Sequence, residues 1–197
     1  KKLADAVVEL HAMGGEADAF GCDIADQFRT AELAVHAAQR GEVKAVIHAA
    51  GLSPHMADAK TILECNALGT VNINDAFYEV MSPGGCLIDT SSMSAYMVPS
   101  ILIPRKLYGL CRTDRDKFMR KMLARVNFFP KKHRTGIAYS LSKHFVIWYA
   151  RTDAARFGEK GVRVLSVTPG HFETPMGNLA REDGGGFVQY NAIKRFG

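Results

Sequence analysis

Apolar runs of strand length alternate with longer stretches of helical period, and this alternation limits the fold more than any other feature of the chain. Val43 to Ala50 is a continuous apolar strand ending at Gly51. Residues 85–90 (Gly-Cys-Leu-Ile-Asp-Thr) read as a second strand, and Val162 to Thr168 as a third that ends in Pro169-Gly170. Asp58 to Met81 is a long helix closed by Pro83-Gly84-Gly85, and a further helix runs from about 138 to 157. Upstream, Leu3, Ala6, Val7, Leu10 and His11 recur at helical spacing until Gly14-Gly15 stops them. Ala17 to Cys22 then reads as a short strand, and Asp26 to Gln39 as a helix ended by Gly41. Strands separated by helices of this length predict an α/β fold, a doubly wound parallel sheet with helices on both faces. Such sheets bind ligands beyond the carboxyl ends of their strands.

The polar residues fall at those ends. The second strand delivers Ser91 and Ser92 to a loop. Tyr139-Ser-Leu-Ser-Lys143 opens the helix that leads to the third strand. Residues four apart on a helix share a face, so the Tyr139 phenol and the Lys143 ammonium point the same way. A phenol beside an ammonium, facing a serine hydroxyl, suits proton transfer to or from an alcohol oxygen, the counterpart of hydride chemistry on carbonyls. Tyr190-Asn-Ala-Ile-Lys194 has the same spacing without either strand, and serves as an internal decoy.

Composition narrows the rest. The chain has 197 residues, 47% of them apolar, enough for one domain with a sizeable core. No run approaches a membrane span, and the first twenty residues show no signal-peptide pattern. Cys22, Cys65, Cys86 and Cys111 lack pairing or metal-type spacing, which predicts free thiols in a reducing cytoplasm and no metal site. The net charge of +5 is uneven. Between Tyr96 and Ala138 there are eleven Lys or Arg and two acidic residues, a local +9 that leaves −4 elsewhere. This is a basic helical insertion over 96–138, not a body-wide nucleic-acid footprint.

A nucleotide-binding sheet ordinarily opens with a strand and a glycine-rich turn into a helix. No such turn stands near the start, and Asp183-Gly184-Gly185-Gly186 follows no strand. Residues 1–197 therefore read as an incomplete dinucleotide-binding and catalytic domain, lacking N- and C-terminal elements. In the 3-2-1-4-5-6 order of such folds, the strand at 17–22 is not expected to pair with the strand at 43–50.

On these residues the chain resembles the short-chain dehydrogenase/reductase family along essentially all of its length. The resemblance places the family's Asn-Ser-Tyr-Lys tetrad on Asn66, Ser92, Tyr139 and Lys143. Its Asn-Asn-Ala-Gly turn falls on His48-Ala49-Ala50-Gly51, departing at the first two positions. Cys22-Asp23-Ile24 is similar to the adenine-contacting segment, and Pro169-Gly170-His-Phe172-Glu-Thr174 to the nicotinamide-side loop. The implied cofactor is NAD or NADP, bound by Asp23, Ile24, Ala49, Ala50, Gly51, Tyr139, Lys143, Pro169, Gly170, Phe172 and Thr174. The short interval from Gly51 to Asn66 and the long one from Ser92 to Tyr139 resemble bacterial 3-alpha-hydroxysteroid dehydrogenase/carbonyl reductases. In that subgroup a helical segment before the tyrosine lies at the dimer interface.

The resemblance implies an oxidoreductase acting on an apolar ketone or secondary alcohol, steroid-like or otherwise lipophilic. Tyr139 is its general acid or base. Lys143 favours the phenolate and holds the nicotinamide ribose. Ser92, preferred over Ser91, hydrogen-bonds the reacting oxygen. Asn66 either relays protons through water to Lys143 or is a polar residue on an exposed helix face. Asp23 is an adenine contact, the cap of the next helix, or both. His48 reads as a packed strand residue and His171 as a possible substrate contact. Met93, Ala95, Tyr96, Met97, Phe172, Met176 and Phe187 supply apolar walls. Phe118, Met119, Met122, Leu123 and Val126 recur at helical spacing within about Thr113 to Phe128, an expected subunit contact in a homodimer or tetramer. Two other classes share parts of this pattern: a nucleotide-sugar epimerase with the same Tyr-Lys pair, and a binding protein using the basic insertion on RNA or anionic lipid.

Overall fold

The computed structural model describes residues 2–170 together with Phe172 and Thr174. Three strands form a parallel sheet in the order β1 (Val43–His48), β2 (Met81–Thr90), β3 (Arg163–Val167). The register sets Val46, Leu87 and Val164 side by side, and likewise His48, Asp89 and Ser166. Side chains alternate across a sheet, so these two rows share one face, the face on which Leu87, Val164, His48 and Asp89 are buried. Ile47, Ile88 and Leu165 form a row on the other face, where Ile47 and Leu165 are exposed.

The helices explain the asymmetry. Between β1 and β2 the chain forms α3 (Ala59–Leu63), a π-helical turn (Glu64–Leu68) and α4 (Gly69–Val80); between β2 and β3 lies α8 (Arg134–Glu159). Both crossovers pack on the buried face, and α2 (Gln27–Arg40) lies against α4. The expected parallel α/β sheet is present, and the helices described cover one of its faces.

Two segments depart from their sequence reading. Residues 17–22 form no regular secondary structure and make no ladder with the sheet. Side chains tie this segment down instead. Arg29 donates to the Gly21 carbonyl at 2.8 Å, Asp18 pairs with His36 and Arg40, and the Phe20 ring lies tilted against His36, 5.1 Å between ring centres. An extended segment becomes a strand only when a neighbouring edge is free to pair with it, and β1 does not fill that role. The preceding helix, α1 (Lys2–Ala12), ends as its sequence predicts, with Gly14 at φ 85° where a Cβ would be strained.

The insertion is the second departure. It contains α5 (Arg105–Tyr108), α6 (Leu110–Thr113) and α7 (Arg115–Asn127). The stripe expected to meet a second subunit is buried within its own chain: Phe118, Met122 and Val126 have no exposed surface, packed in one cluster with Tyr108 of α5, Ile62 and Leu63 of α3 and Phe145 of α8. Full burial of one such side chain contributes about 1.5–3 kcal/mol, so an amphipathic helix beside an uncovered apolar surface of its own domain docks there first. The charge is partly internal as well. Arg115 donates to Asn72 and Gln27 at 2.8 Å and pairs with Asp75, and Arg112 pairs with the buried Asp153 at 2.5 Å. Deleting residues 100–134 would therefore remove part of the core as well as an outer arm.

Candidate active site

The carboxyl ends of β2 and β3 are stitched into one shelf by the backbone. Ser91 N–H donates to the Val167 carbonyl at 2.8 Å, and Met93 N–H to the Pro169 carbonyl at 3.0 Å. The two serines of the shelf have separate duties. Ser91 is buried and its hydroxyl donates to the Lys143 carbonyl at 2.7 Å, pinning α8 to the sheet. Ser92 is half-buried and caps the 3₁₀ turn Met93–Tyr96 by accepting from Ser94 N–H at 3.2 Å. That contact uses an oxygen lone pair and leaves the O–H to donate elsewhere.

Tyr139 and Lys143 both lie in the first half of α8, one turn apart, as their spacing requires. Lys143 is 6% exposed, and its Nζ donates to the Thr90 carbonyl at 2.8 Å. The amine also stands 5.9 Å from the centre of the Tyr139 ring. Burial pushes the Lys143 pKa down from 10.5 to about 8, while Cys65 and Asp89 pull it back up. Tyr139 is half-buried on the same side.

Asn66 occupies the π turn between α3 and α4, and it is buried, which excludes the exposed-face reading. Its Oδ1 accepts from Leu52 N–H at 2.8 Å, while its Nδ2 donates to the Leu52 carbonyl at 3.0 Å and to Ser142 Oγ at 3.2 Å. A π turn breaks the regular i→i−4 ladder, and such turns concentrate at functional positions. Here the Thr70 hydroxyl takes up the Asn66 carbonyl at 2.8 Å. The amide of Asn66 thus clamps the loop that follows β1.

Gly51 is the meeting point. A Cβ there would stand 3.1 Å from Asn66 Oδ1 and 3.3 Å from Lys143 Nζ. Neither group is free to retreat, because Asn66 is clamped on Leu52 and Lys143 is held by Thr90. Gly51→Ala is therefore expected to cost about 1–3 kcal/mol by overpacking and to lower turnover with it. A variant with the parent's denaturation midpoint and activity would show that the crowding is harmless.

The outer positions are less converged. Asp23 is exposed and its carboxylate accepts from Ala25 N–H at 3.0 Å, a turn before α2. The helix cap is Asp26, which accepts from Phe28 and Arg29 N–H, so the capping reading of Asp23 is corrected. A three-residue offset separates cap and turn, and both positions carry aspartate. Ile24 faces the interior, crowding Gly69, with its carbonyl held by Asn72 Nδ2 at 2.9 Å. Ala49 and Ala50 are exposed at the end of β1. Gly170 lies near Met93, while Phe172 and Thr174 are exposed beyond Pro169. Of the apolar wall, Met93 is half-buried and Tyr96, Met97 and Phe172 are exposed, but Ala95 is buried. His171, Met176, Phe187, the glycine run at 184–186 and the Tyr190–Lys194 decoy lie outside the described residues.

Sequence reasoning missed the partner of His48. Its Nδ1 is 3.1 Å from Asp89 Oδ1, and both residues are buried. The signal was present in the apolar strand at 85–90, where a lone aspartate demands a partner. It also missed the Thr90 carbonyl, a backbone group that no side-chain pattern announces. Among the described residues no cluster of His, Cys, Asp or Glu could hold a metal ion.

The family model for short chain dehydrogenases matches residues 130–184, which include α8 and β3. A short-chain dehydrogenase of Pyricularia oryzae is 31% identical over 183 residues, covering 86% of this chain and 60% of its own length. The chain thus spans little more than half the length of the curated relatives it matches. Among solved structures, the 3-alpha-hydroxysteroid dehydrogenase of a Pseudomonas species, complexed with NADH, superposes with a TM-score of 0.72 at 19% identity, over 92% of this chain and 73% of that one. A short chain dehydrogenase of Burkholderia cenocepacia in complex with NADP gives 0.71 at 20% identity, over 98% and 69%. These structures share the parallel sheet and its crossovers. With the family match running through Tyr139 and Lys143, and a relative 31% identical over 60% of its own length, the chain is similar to the short-chain dehydrogenases in both sequence and fold.

Proposed function

We propose that this chain forms the catalytic side of an NAD(P)-dependent oxidoreductase acting on a lipophilic ketone or secondary alcohol. The observation that carries the reading is the convergence of Lys143, Asn66 and the side-chain-free Gly51 at the strand ends, with Tyr139 one turn from Lys143. The missing Cβ at Gly51 lets Asn66 and Lys143 pack directly on the loop, and the exposed small residues Ala49 and Ala50 beside it suit close approach of a flat cofactor ring and its ribose. Lys143 and Tyr139 hold the ribose hydroxyls in this reading. Ala49, Ala50, Gly51, Pro169, Gly170, Phe172 and Thr174 form its walls, and Asp23 and Ile24 mark the adenine end. A bound nicotinamide supplies the hydride in reduction and accepts it in oxidation.

The protein's own part is positioning and proton transfer. Tyr139 gives its proton to the carbonyl oxygen in reduction and recovers it in oxidation. The free O–H of Ser92 orients that oxygen. Lys143, one turn away and shielded from water, favours the phenolate by its charge. Asn66 keeps the Gly51-Leu52 loop against Lys143 and completes the tetrad.

Met93, Tyr96, Met97 and Phe172 favour an apolar substrate, of the steroid class or another lipophilic carbonyl. The relatives solved with NADH and with NADP support either nicotinamide. All four cysteines are free thiols, in keeping with a cytoplasmic protein, and no described helix is long and apolar enough to cross a membrane. A homodimer, or a tetramer built from it, rests on the apolar side chains the insertion leaves outside, Ile101 and Phe128.

Oxidation of NADH or NADPH should be seen with lipophilic ketones and little with small charged hydroxy acids. Configurational inversion of a nucleotide sugar without net redox turnover would replace this reading with that of an epimerase.

A further inference from the structure

The insertion reaches beyond the core it joins. The buried Phe118, Met122 and Val126 already fasten α7 to its own domain, and the Arg112–Asp153 pair fastens α6. Arg115, the first residue of α7, makes contacts of another kind. Its Nη1 donates to Oε1 of Gln27, the first residue of α2, and to Oδ1 of Asn72 on α4, both at 2.8 Å. Its Nη2 pairs with Asp75 at 3.3 Å. Asn72 is 2% exposed, and its Nδ2 donates to the Ile24 carbonyl at 2.9 Å and to the Ala25 carbonyl at 3.2 Å. A guanidinium can only donate and a carbonyl can only accept. The Asn72 amide between them therefore has one workable orientation, its oxygen on Arg115 and its NH₂ on the turn before α2.

That turn carries Asp23 and Ile24, the adenine end of the proposed cofactor site. Asp23 closes it from within, its carboxylate accepting from Ala25 N–H and its carbonyl from Asp26 N–H, both at 3.0 Å. Ile24 is seated on α4, where a Cβ on Gly69 would stand 2.8 Å from its Cδ1. Gly69 and Asn72 are three residues apart and share a face of α4, so one helix face receives both the side chain and the carbonyl of Ile24. Resting on the proposed reading of Asp23 and Ile24, we infer that Arg115 is a positioning residue for the cofactor: acting through Asn72, it fixes the Asp23–Ala25 turn on α4 and so sets the affinity for the adenine half of the dinucleotide. Without Arg115 the buried Asn72 oxygen loses its charged donor, and a buried acceptor left unsatisfied is costly. An amide that turns over to recover a partner sets its oxygen against two carbonyls, and the turn loses its anchor. The basic insertion thereby serves the cofactor site as well as the core.

The test is equilibrium binding to the intact protein, of NADH or NADPH by fluorescence titration and of ADP, which has the adenine half alone, by displacement. Arg115→Met removes the donors at the start of α7. Asn72→Ala changes no charge and leaves Arg115 its contacts with Gln27 and Asp75. Each is expected to weaken both the dinucleotide and ADP by about 3–10-fold, the scale of a lost hydrogen bond. Each should also raise KM for the dinucleotide by more than it lowers kcat. Asp75→Asn weakens the ion pairs with Arg115 and Arg156 but leaves Asn72 on the turn, so it should lower the melting temperature and leave binding alone. Unchanged binding in Arg115→Met or Asn72→Ala overturns the inference, as does an equal loss in Asp75→Asn or a loss with the dinucleotide that ADP does not share. Should Arg115→Met not fold, Asn72→Ala decides; if neither folds, the contacts serve the fold alone and the inference is overturned. A parent protein that binds neither dinucleotide nor ADP sinks the proposed reaction itself, whereas a parent that binds them no better than Asn72→Ala sinks only the role of Arg115.

Discussion

Tyr139→Phe is expected to lower ketone reduction by about 10²–10⁴-fold while NADH or NADPH binding stays within a few-fold of the parent. The phenol oxygen is the proton donor in the proposed reaction, and phenylalanine keeps the ring that faces Lys143 at 5.9 Å. The change removes one O–H with little loss of packing on a half-buried side chain. Stability should therefore move by much less than activity. Cofactor binding by fluorescence titration and steady-state turnover on the same preparation separate the two effects. Retention of most of the activity would remove Tyr139 from the mechanism and leave Ser92 and Lys143 to be explained anew.

Asp153→Ala is expected to destabilise the fold by about 3 kcal/mol, the lower end of the range for breaking a buried pair from one side. The carboxylate has no exposed surface and accepts from Arg112, Arg156 and Asn74. Arg156 keeps Asp75 at 2.9 Å, and Arg112 is partly exposed and can turn to water, which is why the lower end applies. Because Arg112 belongs to the insertion and Asp153 to α8, the loss should loosen α6 and α7 before the sheet. Urea denaturation would give the magnitude, and amide exchange in α7 its location. Asp153→Asn, which keeps one acceptor oxygen and the side chain's shape but loses the charge, should lose less. A midpoint unmoved by either substitution would mean that the network contributes nothing to holding the insertion.

The insertion shows where pattern reading reaches its limit. Phe118, Met119, Met122 and Val126 were legible as one apolar stripe, because helical period is a property of local spacing. Which surface the stripe meets is not local. An apolar face is equally satisfied by a second subunit or by its own domain, and only the position of α3 and α8 decides for the latter. The same holds for residues 17–22, whose apolar character is local but whose status as a strand depends on an edge to pair with. Asn66 carries the lesson into the site. Its helix was legible, but the extra residue of the π turn, which aims its amide at Leu52 instead of solvent, reflects a tertiary contact.

What the sequence by itself determined is everything governed by short-range periodicity. This covers three parallel strands in order, the crossover helices, serines at the end of β2, and Tyr139 and Lys143 on one helical face. What only the tertiary structure decided is which distant groups share a buried volume. Leu52 meets Asn66, Thr90 receives Lys143, Asp89 is held by His48 and Asn74, and Arg112 reaches Asp153. The physical reason is the cost of burying a polar group. It obliges each to find a partner, but the partner's identity depends on which chain segments the packed core brings within hydrogen-bond reach, often dozens of residues apart.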